Sequence, residues 1–579
     1  KTTDVISKRT NSWNPPTIST TDVLIASTCN DVAVTVLPNA PIDEISGLPI
    51  PTIAVATDSG ISVVRDNGDV VDMTQNDANE RPVLQIGFTK SNKLIFRHNY
   101  NWIYYYEIPS SDLNAAYWNV LSGFIGRFTS VERTWADGSG TALPINTASN
   151  IDEFLEDKAM GHTNGVNILA FNEEAIGYGM HAGIATNFNT GYQHGDIKGA
   201  FLSDTDTTNL TGAQAVTNGT FNSDVSGWTT DTSTITYNSN NANIARNSGP
   251  ASSGIYQEIT LVPGKTYSVS MDVSAVNGGT FVSLYLISDN GAGTSQEYRT
   301  AAAGTPNNII GSYTALTAST RIAINATGNS SGTATIDNIS VRLAEQDRSY
   351  NGPYQSRDDG TGAALGIYGT ITKTAVATGA DLVAYSGFSG SNYLAQPNNS
   401  DLAPGTGQYS VSCWFKTTSS SSNDQYIFDR GVGGSNSRNL MLIMQTSGRI
   451  QFYHTNSSGT ASDLQTTDMP SFADNNWHHV VGLYDGSVYK VYVDGNASSI
   501  TNTTGRDVGN DGSPELTIGA RFNATQTFGG SLALFRYSRS APTPEQVKKM
   551  YDDEKHFFQE NAKATLYGSS DAVTALGYD

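Results

Sequence analysis

The sequence has little cysteine, which cross-links small domains, and relatively little Lys and Arg, which bind phosphate. It contains 2 cysteines, Cys29 and Cys413, far apart, so stability must come from burial rather than from a disulfide framework. No run of about 18 apolar residues occurs, so we expect no membrane insertion. Lys and Arg number 33 against 54 Asp and Glu, a net charge of −21. Nucleic acid and anionic lipid both require a basic face, so we expect neither as a partner.

What is abundant is glycine, at 56 residues, together with many Ser, Thr and Asn. Helical blocks rich in Ala, Leu and Glu are nearly absent. This composition favours short strands joined by tight turns. The length predicts about three to five domains. We therefore predict an all-β protein.

Residues 1–212 contain two copies of a strand motif that recurs once more near the end of the sequence. VLQIGF at 83–88, VNILAF at 166–171 and VTALGY at 573–578 share the pattern Val-x-x-(Ile/Leu)-(Gly/Ala)-(Phe/Tyr). Two further stretches, 53–64 and 176–188, each predict a pair of strands with a turn that ends in a glycine, Gly60 and Gly183. Such recurrence predicts a partial β-propeller-like region with blades of about 40–45 residues.

The third copy of the motif predicts that residues 563–579 resume this propeller-like region after an interruption. We expect the closing blades to lie beyond Asp579 or to come from another chain. The alternative is that a six-residue match in a strand-rich protein arises by chance.

Residues 213–345 alternate polar and apolar side chains, with breaks at Gly and Asn, which predicts a β-sandwich. The motifs are Asn218-Gly-x-Phe221, Gly227-Trp228, Pro263-Gly-x-x-Tyr267 and Ile-Asp-Asn-Ile-Ser-Val at 336–341. They resemble the jelly-roll carbohydrate-binding modules found beside xylanases and glucanases. The resemblance implies the fold more firmly than any ligand, because this sandwich serves many functions.

A linker rich in Gly, Asp and Ser is predicted at 346–369, followed by a second sandwich at 370–541. Its clearest signal is NNWHHVVGLYDGSVYKVYVDG at 475–495, in which each Asp-Gly supplies a hairpin turn. This pattern resembles the laminin-G or concanavalin A-like sandwich. His478 and His479 are adjacent in a predicted strand and point to opposite faces, so we expect structural roles rather than one shared metal.

One short amphipathic helix is predicted within residues 542–562. Thr543-Pro544-Glu545-Gln546 has the form of a capping box with proline at the first helical position. Val547, Met550, Tyr551 and Phe558 then fall on one face, which we expect to pack against the second sandwich.

We predict no enzymatic activity. Glucanases of the concanavalin A-like class carry alternating carboxylates on one strand, which allows an acid and a nucleophile to flank the glycosidic bond. This sequence has no such run. The acidic stretch at 151–157 predicts a short helix with Phe154 and Leu155 inward.

Aromatic residues are the candidates for sugar binding, because aromatic faces stack on sugar rings while polar neighbours bind the hydroxyls. In the first sandwich they are Trp228, Tyr256, Tyr285 and Tyr298. At the position of Trp228 a core role is favoured over a binding platform.

The carbohydrate-module resemblance also implies a structural Ca²⁺ that joins the first strand to the last. The matching positions are Asn218, Phe221 and Asp337. Ca²⁺ requires six to eight oxygen ligands. The family usually has an acidic residue after the Phe, whereas this chain has Asn222, and Asp337 could equally belong to a turn or a strand edge.

Residues 185–212, 372–402 and 558–576 are similar to virion structural proteins of marine podoviruses and their uncultured relatives. That resemblance implies a virion location, in the tail, with other virion proteins, copies of the same chain and host-surface polysaccharide as partners. The first hypothesis is a tail or fibre protein whose sandwiches bind host glycans, with affinity raised by avidity. The alternatives are a structural tail hub without glycan binding and a secreted glycan-degrading enzyme with accessory modules.

Overall fold

The computed structural model describes residues 24–573 with gaps, and the chain is nearly all β. The gaps are 76–81, 89–91, 99–102, 116–123, 129–150, 155–156, 163–164, 171–178, 232, 247–253, 278–280, 290–292, 300–308, 328–332, 350–363, 419–421, 433–439, 456–460, 504–507 and 509–514. The chain forms two compact units. The first unit comprises residues 1–186, 194–196 and 565–579, and the second comprises 187–193 and 197–564.

The strands of the first unit are β1 Asp31–Thr35, β2 Thr52–Thr57, β3 Gly60–Val64, β4 Val70–Gln75, β5 Val83–Phe88, β6 Leu94–His98, β7 Ile103–Tyr106, β8 Leu113–Ala115, β9 Phe124–Phe128, β10 Ile151–Phe154, β11 Asp157–His162, β12 Gly165–Ala170 and β13 Met180–Ile184. They form sheets of blade-like size. One contains β1, β2, β3, β4 and β8, and a second contains β5, β6, β7 and β9. Strands β10 to β13 pair antiparallel in sequence order. The strands in the described part of this unit trace no closed ring.

The predicted repeats agree with the structure in part. VLQIGF coincides with β5, and the hairpin β2–β3 turns at Gly60, whose φ is +136°. A Cβ at Gly60 would lie 2.2 Å from the Met73 carbonyl oxygen, so only glycine fits this turn. The predicted turn at Gly183 is wrong, because Gly183 pairs with Asn167 in the middle of β13.

The chain after the second unit returns to the first. The Leu566 N–H donates to the Ala185 carbonyl oxygen at 3.0 Å. Asp571 Oδ1 accepts a hydrogen bond from the Thr186 N–H at 2.9 Å. The third copy of the strand motif, at 573–578, lies outside the described residues except for its first residue, so its strand pairing stays a prediction.

The acidic stretch at 151–157 is not a helix, and that prediction is wrong. Strands β10 and β11 form a hairpin in which Phe154 pairs with Asp157. The order of apolar and acidic residues here is compatible with both the helical period of about 3.6 residues and the strand period of about 2. The segment is a strand because β11 pairs with β12.

The second unit begins with β14 Asn189–His194, of which only the last residue is assigned to the first unit, followed by β15 Ile197–Phe201 and β16 Leu210–Gly212. Its first sandwich follows, with strands β17 Thr229–Thr230, β18 Ser233–Tyr237, β19 Ala242–Arg246, β20 Ile255–Thr260, β21 Thr266–Asn277, β22 Phe281–Ser288, β23 Ser295–Arg299, β24 Ile309–Thr314, β25 Ser319–Thr327 and β26 Thr333–Glu345. One sheet has the order β17-β20-β25-β22-β23. The facing sheet contains β18, β19, β26, β21 and β24. Aliphatic side chains from both sheets fill the core between them.

The second sandwich is built from β27 Leu365–Ala375, β28 Val383–Ser386, β29 Tyr393–Gln396, β30 Tyr409–Thr417, β31 Gln425–Gly431, β32 Leu440–Met444, β33 Ile450–Thr455, β34 Ala461–Gln465, β35 His478–Tyr484, β36 Tyr489–Val493, β37 Asn496–Ala497, β38 Glu515–Ile518 and β39 Gly530–Ser538. One sheet contains β39, β30, β35 and β36. The other runs β27-β29-β38-β31-β32-β33-β34. A single large apolar cluster fills the space between these sheets.

The two sandwiches are joined by backbone pairing. Ala344 and Glu345 at the end of β26 pair with Gly366 and Leu365 at the start of β27. Strand β27 thus begins inside the segment for which the sequence predicts a linker.

The predicted helix is confirmed as α1, Pro544–Glu554, followed by a 3₁₀ turn at Lys555–Phe558. Thr543 Oγ1 accepts from the Gln546 N–H, and the Thr543 N–H donates to Gln546 Oε1, which completes the capping box. Val547 packs against β35 and β36, so the apolar face of the helix covers the outer side of that sheet.

A buried ion pair secures the end of α1. Both nitrogens Nη1 and Nη2 of Arg536 donate to the Glu554 carboxylate, and the two side chains are 3% and 1% exposed. The same carboxylate accepts from the Trp414 indole N–H at 2.7 Å and from the Tyr192 N–H at 2.8 Å. One carboxylate therefore connects α1, β30, β39 and the strand β14.

The two adjacent histidines point to opposite faces of β35. His478 Nδ1 lies 2.7 Å from Asp494 Oδ2, and its Nε2 lies 3.0 Å from Asp474 Oδ1. His479 is fully buried against the Trp414 ring. Burial by itself lowers the pKa of His478, but the two carboxylates outweigh burial and raise it above the ordinary value.

This arrangement predicts a pH-dependent contribution to stability. The folded-state pKa of His478 is raised, so its contribution is fully present below the unfolded pKa of about 6.5 and is lost as the pH rises through the folded value. We expect His478→Gln to lower the free energy of unfolding at pH 5.5 by about 1–3 kcal/mol, the range for charge-assisted hydrogen bonds, and by less at pH 9. Urea unfolding at both pH values measures this, with the exposed His556→Gln as control. An equal loss at both pH values would contradict the ion-pair explanation.

The two cysteines of the chain are both free thiols. Cys29 is exposed in the first unit, whereas Cys413 is buried in the core of the second sandwich. Burial raises the pKa of the Cys413 thiol to about 12. Among the described residues, no helix has the length and apolar character needed to cross a membrane.

Candidate functional site

The candidate site is the outer face of the sheet β17-β20-β25-β22-β23, the side turned away from the sandwich core. Alternation along the strands creates it. In β20 the core residues are Ile255 and Ile259, which turns Tyr256 outward. In β22 the core residues Leu284 and Leu286 likewise turn Tyr285 outward. We call this surface the outer tyrosine face.

Strand pairing brings Tyr256 and Tyr285 close together although they are distant in sequence. Tyr256 pairs with Ala323, Ala323 pairs with Tyr285, and Tyr285 pairs with Glu297, so the four residues form a row across β20, β25, β22 and β23. Side chains at paired positions are about 4.5–5.5 Å apart at Cβ. Ala323 is the small residue between the two rings, and Ile287 extends the apolar surface beside them.

Polar groups surround this apolar row. The Ser283 hydroxyl and the Tyr285 hydroxyl both donate to Glu297 Oε1, at 2.7 and 2.9 Å. Asn325 pairs with Ser283 on the same face and is buried. A sugar ring presents C–H groups to aromatic surfaces and hydroxyls to polar groups, which is the combination that this face offers.

A cation fixes the orientation of the Tyr256 ring. The Arg321 guanidinium lies 4.0 Å from the centroid of the Tyr256 ring. Its Nε and Nη2 donate to Glu258 Oε1 at 2.8 and 2.6 Å. Sequence patterns can indicate the outward tyrosines, but Glu297 and Arg321 become part of the site only through strand pairing.

The other two predicted platform residues, Trp228 and Tyr298, lie in the core between the sheets. The Trp228 ring packs near Phe221, and its indole N–H donates to the Asn218 carbonyl oxygen at 3.2 Å. The Tyr298 hydroxyl donates to the Ser312 carbonyl oxygen, and burial raises the pKa of Tyr298. A Cβ on Gly311 would lie 2.1 Å from Tyr298 Cε1, which shows how closely this ring packs against β24.

The residues matched to a Ca²⁺ site lie near the junction of the first and last strands of the sandwich. The Ile339 N–H donates to the Gly219 carbonyl oxygen at 2.9 Å, one residue from Asn218 and two from Asp337. The Asn218 amide nitrogen donates to three oxygens, the Asp224 carbonyl, the Asp224 carboxylate and the Ser226 carbonyl. These oxygens therefore converge on an amide nitrogen.

The remaining Ca²⁺ candidates supply no common oxygen set with Asn218. Phe221 is a buried core residue, and Asp337 pairs with Asp272 on the neighbouring strand β21. Burial and the nearby Asp272 charge raise the pKa of Asp337, against the lowering effect of the Asn338 N–H. Among the described residues, no group of three or more His, Cys, Asp and Glu side chains is placed to hold a metal. The Ca²⁺ assignment stays a prediction.

Comparison with known families identifies both sandwiches. Residues 213–336 match the family described as a carbohydrate binding domain. Residues 388–548 match the concanavalin A-like lectin/glucanases superfamily, in its laminin-G group. The chain thus contains a carbohydrate-binding domain and a laminin-G-like domain. No curated protein matches this chain.

Three solved structures are among those similar to part of this chain. The binding domain of Paraclostridial Mosquitocidal Protein 1 is 14% identical, with a TM-score of 0.29, over 37% of this chain and 52% of that one. Domain 4 of AbnA, an extracellular arabinanase of Geobacillus stearothermophilus solved with arabinotriose, is 23% identical, with a TM-score of 0.27, over 33% and 88%. The CBM40 of Ruminococcus gnavus IT-sialidase, bound to α2,6-sialyllactose, is 16% identical, with a TM-score of 0.23, over 26% and 85%. The chain covers about half of the first of these, and TM-scores in this range carry no inference on function.

Proposed function

We propose that this chain is a glycan-binding protein that recognises surface polysaccharide through the outer tyrosine face. The observation that carries the proposal is the row Tyr256, Ala323, Tyr285 and Glu297, in which two rings flank a small residue and end at a hydrogen-bonded carboxylate. The family match of residues 213–336 supports the same class of ligand.

The proposed binding mode assigns a task to each group. A sugar ring stacks on the half-buried Tyr256 ring, beside Tyr285, which is 6% exposed, and Ala323, which is fully buried. Sugar hydroxyls donate to the exposed Glu297 carboxylate, whereas Ser283 and Asn325 are buried and do not contact the sugar. Because the Ser283 and Tyr285 hydroxyls both donate to Glu297 Oε1, this acceptor is held in place before the ligand arrives.

The experiment is binding of the full chain to an array of bacterial surface polysaccharides and neutral oligosaccharides. We expect Tyr256→Ala and Tyr285→Ala each to weaken binding about tenfold, or roughly 1.4 kcal/mol. Tyr237→Ala is the matched control, since Tyr237 is an exposed tyrosine on the other sheet of the sandwich. Unchanged binding by both variants, or no binding by the wild-type chain, would refute the proposal.

The proposed setting is the virion tail of a phage, where the chain adsorbs to the host surface. It is supported by the similarity of residues 185–212, 372–402 and 558–576 to podovirus virion proteins and by the acidic composition. Many copies on one particle would raise the affinity of weak single sites. Immunogold labelling of viral particles with an antibody against this chain tests the setting. Gold on tails is the expected result, and particles without label would contradict it.

A further inference from the structure

A lysine and an aspartate from distant parts of the sequence are in contact within the second unit. Lys373 Nζ donates to Asp204 Oδ2 at 2.6 Å, and the Lys373 side chain is 1% exposed. Asp204 follows β15, whereas Lys373 lies in β27. A buried ion pair is costly because both charges lose their hydration. That cost favours transfer of the proton, which leaves an uncharged amine beside an uncharged acid.

A third ionisable group beside this pair is almost completely buried. Glu345, at the end of β26, is 5% exposed, and its Oε1 accepts a hydrogen bond from the Tyr385 hydroxyl at 2.8 Å. Tyr385 pairs with Lys373 across β27 and β28, and Lys373 Nζ lies 5.5 Å from the centroid of the Tyr385 ring. Burial, and then the Asp204 charge, raise the pKa of Glu345 to about 7, while the Lys373 charge acts to lower it. Glu345 therefore has both protonation states available at neutral pH, as a group that transfers protons requires.

The two oxygens of the Asp204 carboxylate have different surroundings. Oδ1 accepts from the backbone N–H groups of Thr205 and Asp206, at 2.7 and 3.2 Å, whereas Oδ2 faces Lys373 Nζ. Two N–H donors on one oxygen stabilise the oxyanion that forms when a nucleophile adds to a carbonyl carbon. The Asp204 side chain is 21% exposed, so a water molecule released here has a way to solvent.

We propose that Lys373 and Asp204 form an intramolecular isopeptide bond, with Glu345 as the proton carrier. Lys373 Nζ attacks Asp204 Cγ, and the negative charge that develops on Oδ1 is stabilised by the two N–H groups. Two protons pass from Nζ to Oδ2 by way of Glu345, and Oδ2 leaves as water. One C–N bond forms and one C–O bond breaks, so an ammonium and a carboxylate become an amide and one water molecule. The fold holds the reacting groups in contact, which replaces a bimolecular encounter.

The intact mass of the denatured full chain tests for this bond. We expect a mass lower than that of the sequence by one water molecule, and a branched peptide joining Asp204 to Lys373 after protease digestion. Lys373→Arg and Asp204→Ala should each restore the full mass, because a guanidinium stays protonated and alanine has no carboxyl group. Glu345→Gln keeps the side-chain volume but carries no proton, so the bond should fail to form in that variant as well.

Lys490 and Asp485 provide the internal control. Their side chains form an ion pair at 3.0 Å but are 32% and 31% exposed, so both stay hydrated and charged, and we expect no branched peptide from them. A wild-type mass equal to that of the sequence would overturn the proposal, and so would a loss of water that maps to any other position. A bond that still forms in Glu345→Gln would overturn the role of Glu345. Because the decisive mass is that of the wild-type chain, the test does not depend on whether the variants fold.

Discussion

Replacing Glu554 by alanine is expected to lower the free energy of unfolding of the second unit by about 3–5 kcal/mol. The substitution leaves the Arg536 guanidinium buried without its counter-charge, and it removes the acceptor for the Trp414 indole and the Tyr192 N–H. Breaking one partner of a buried pair costs more than the pair contributes, because the remaining charge stays away from water.

Urea unfolding followed by tryptophan fluorescence measures this loss. The matched control is Asp553→Ala on the exposed side of the same helix, whose ion pair with Lys549 should be worth less than about 1 kcal/mol. The double substitution Arg536→Leu, Glu554→Leu should recover part of the loss, since no charge remains buried. A loss below 1 kcal/mol for Glu554→Ala would show that the carboxylate does not hold α1 on the sandwich.

The second large expected effect is a difference in stability between variants of the core and the surface aromatic residues of the first sandwich. Tyr298→Ala should lower the free energy of unfolding by about 3–5 kcal/mol, because it empties core volume packed against Gly311. Tyr256→Ala should lower it by about 1 kcal/mol or less, because the ring is half-buried on the outer face. Glycan binding should change in the opposite order, so Tyr256→Ala should weaken it more than Tyr298→Ala does. The Tyr298→Ala protein is assayed at a temperature below its unfolding transition.

Thermal and urea unfolding of both variants give the stability comparison, and the polysaccharide array gives the binding comparison. Tyr298→Phe serves as the control, since it keeps the ring and removes only the hydroxyl that donates to Ser312. Equal stability losses for Tyr298→Ala and Tyr256→Ala would contradict the assignment of Tyr298 to the core and Tyr256 to the surface.

Period-two alternation is sufficient to predict the strands and the outward orientation of the tyrosines, which form one half of the site. In Ile-Tyr-Gln-Glu-Ile-Thr at β20, the buried Ile255 and Ile259 alone place Tyr256 on the opposite face. The capping box at Thr543 predicted the start of α1 because its signal is local. Local signals failed where tertiary pairing decides, as in the strand β13 that continues through Gly183.

The rest of the site depends on contacts between distant segments. Glu297 and Arg321 join the tyrosines only because β23 and β25 pair with β22 and β20, and one sequence does not specify that register. The segment at 346–369 has a linker composition, yet β27 begins at Leu365 because its backbone pairs with the end of β26.

The most direct test of glycan recognition is a crystal or cryo-electron microscopy structure of the full chain with the oligosaccharide that binds best on the array. The account predicts a sugar ring against Tyr256 and Tyr285, with a hydroxyl within hydrogen-bond distance of Glu297. A ligand bound elsewhere, with the outer tyrosine face empty at saturating concentration, would contradict it.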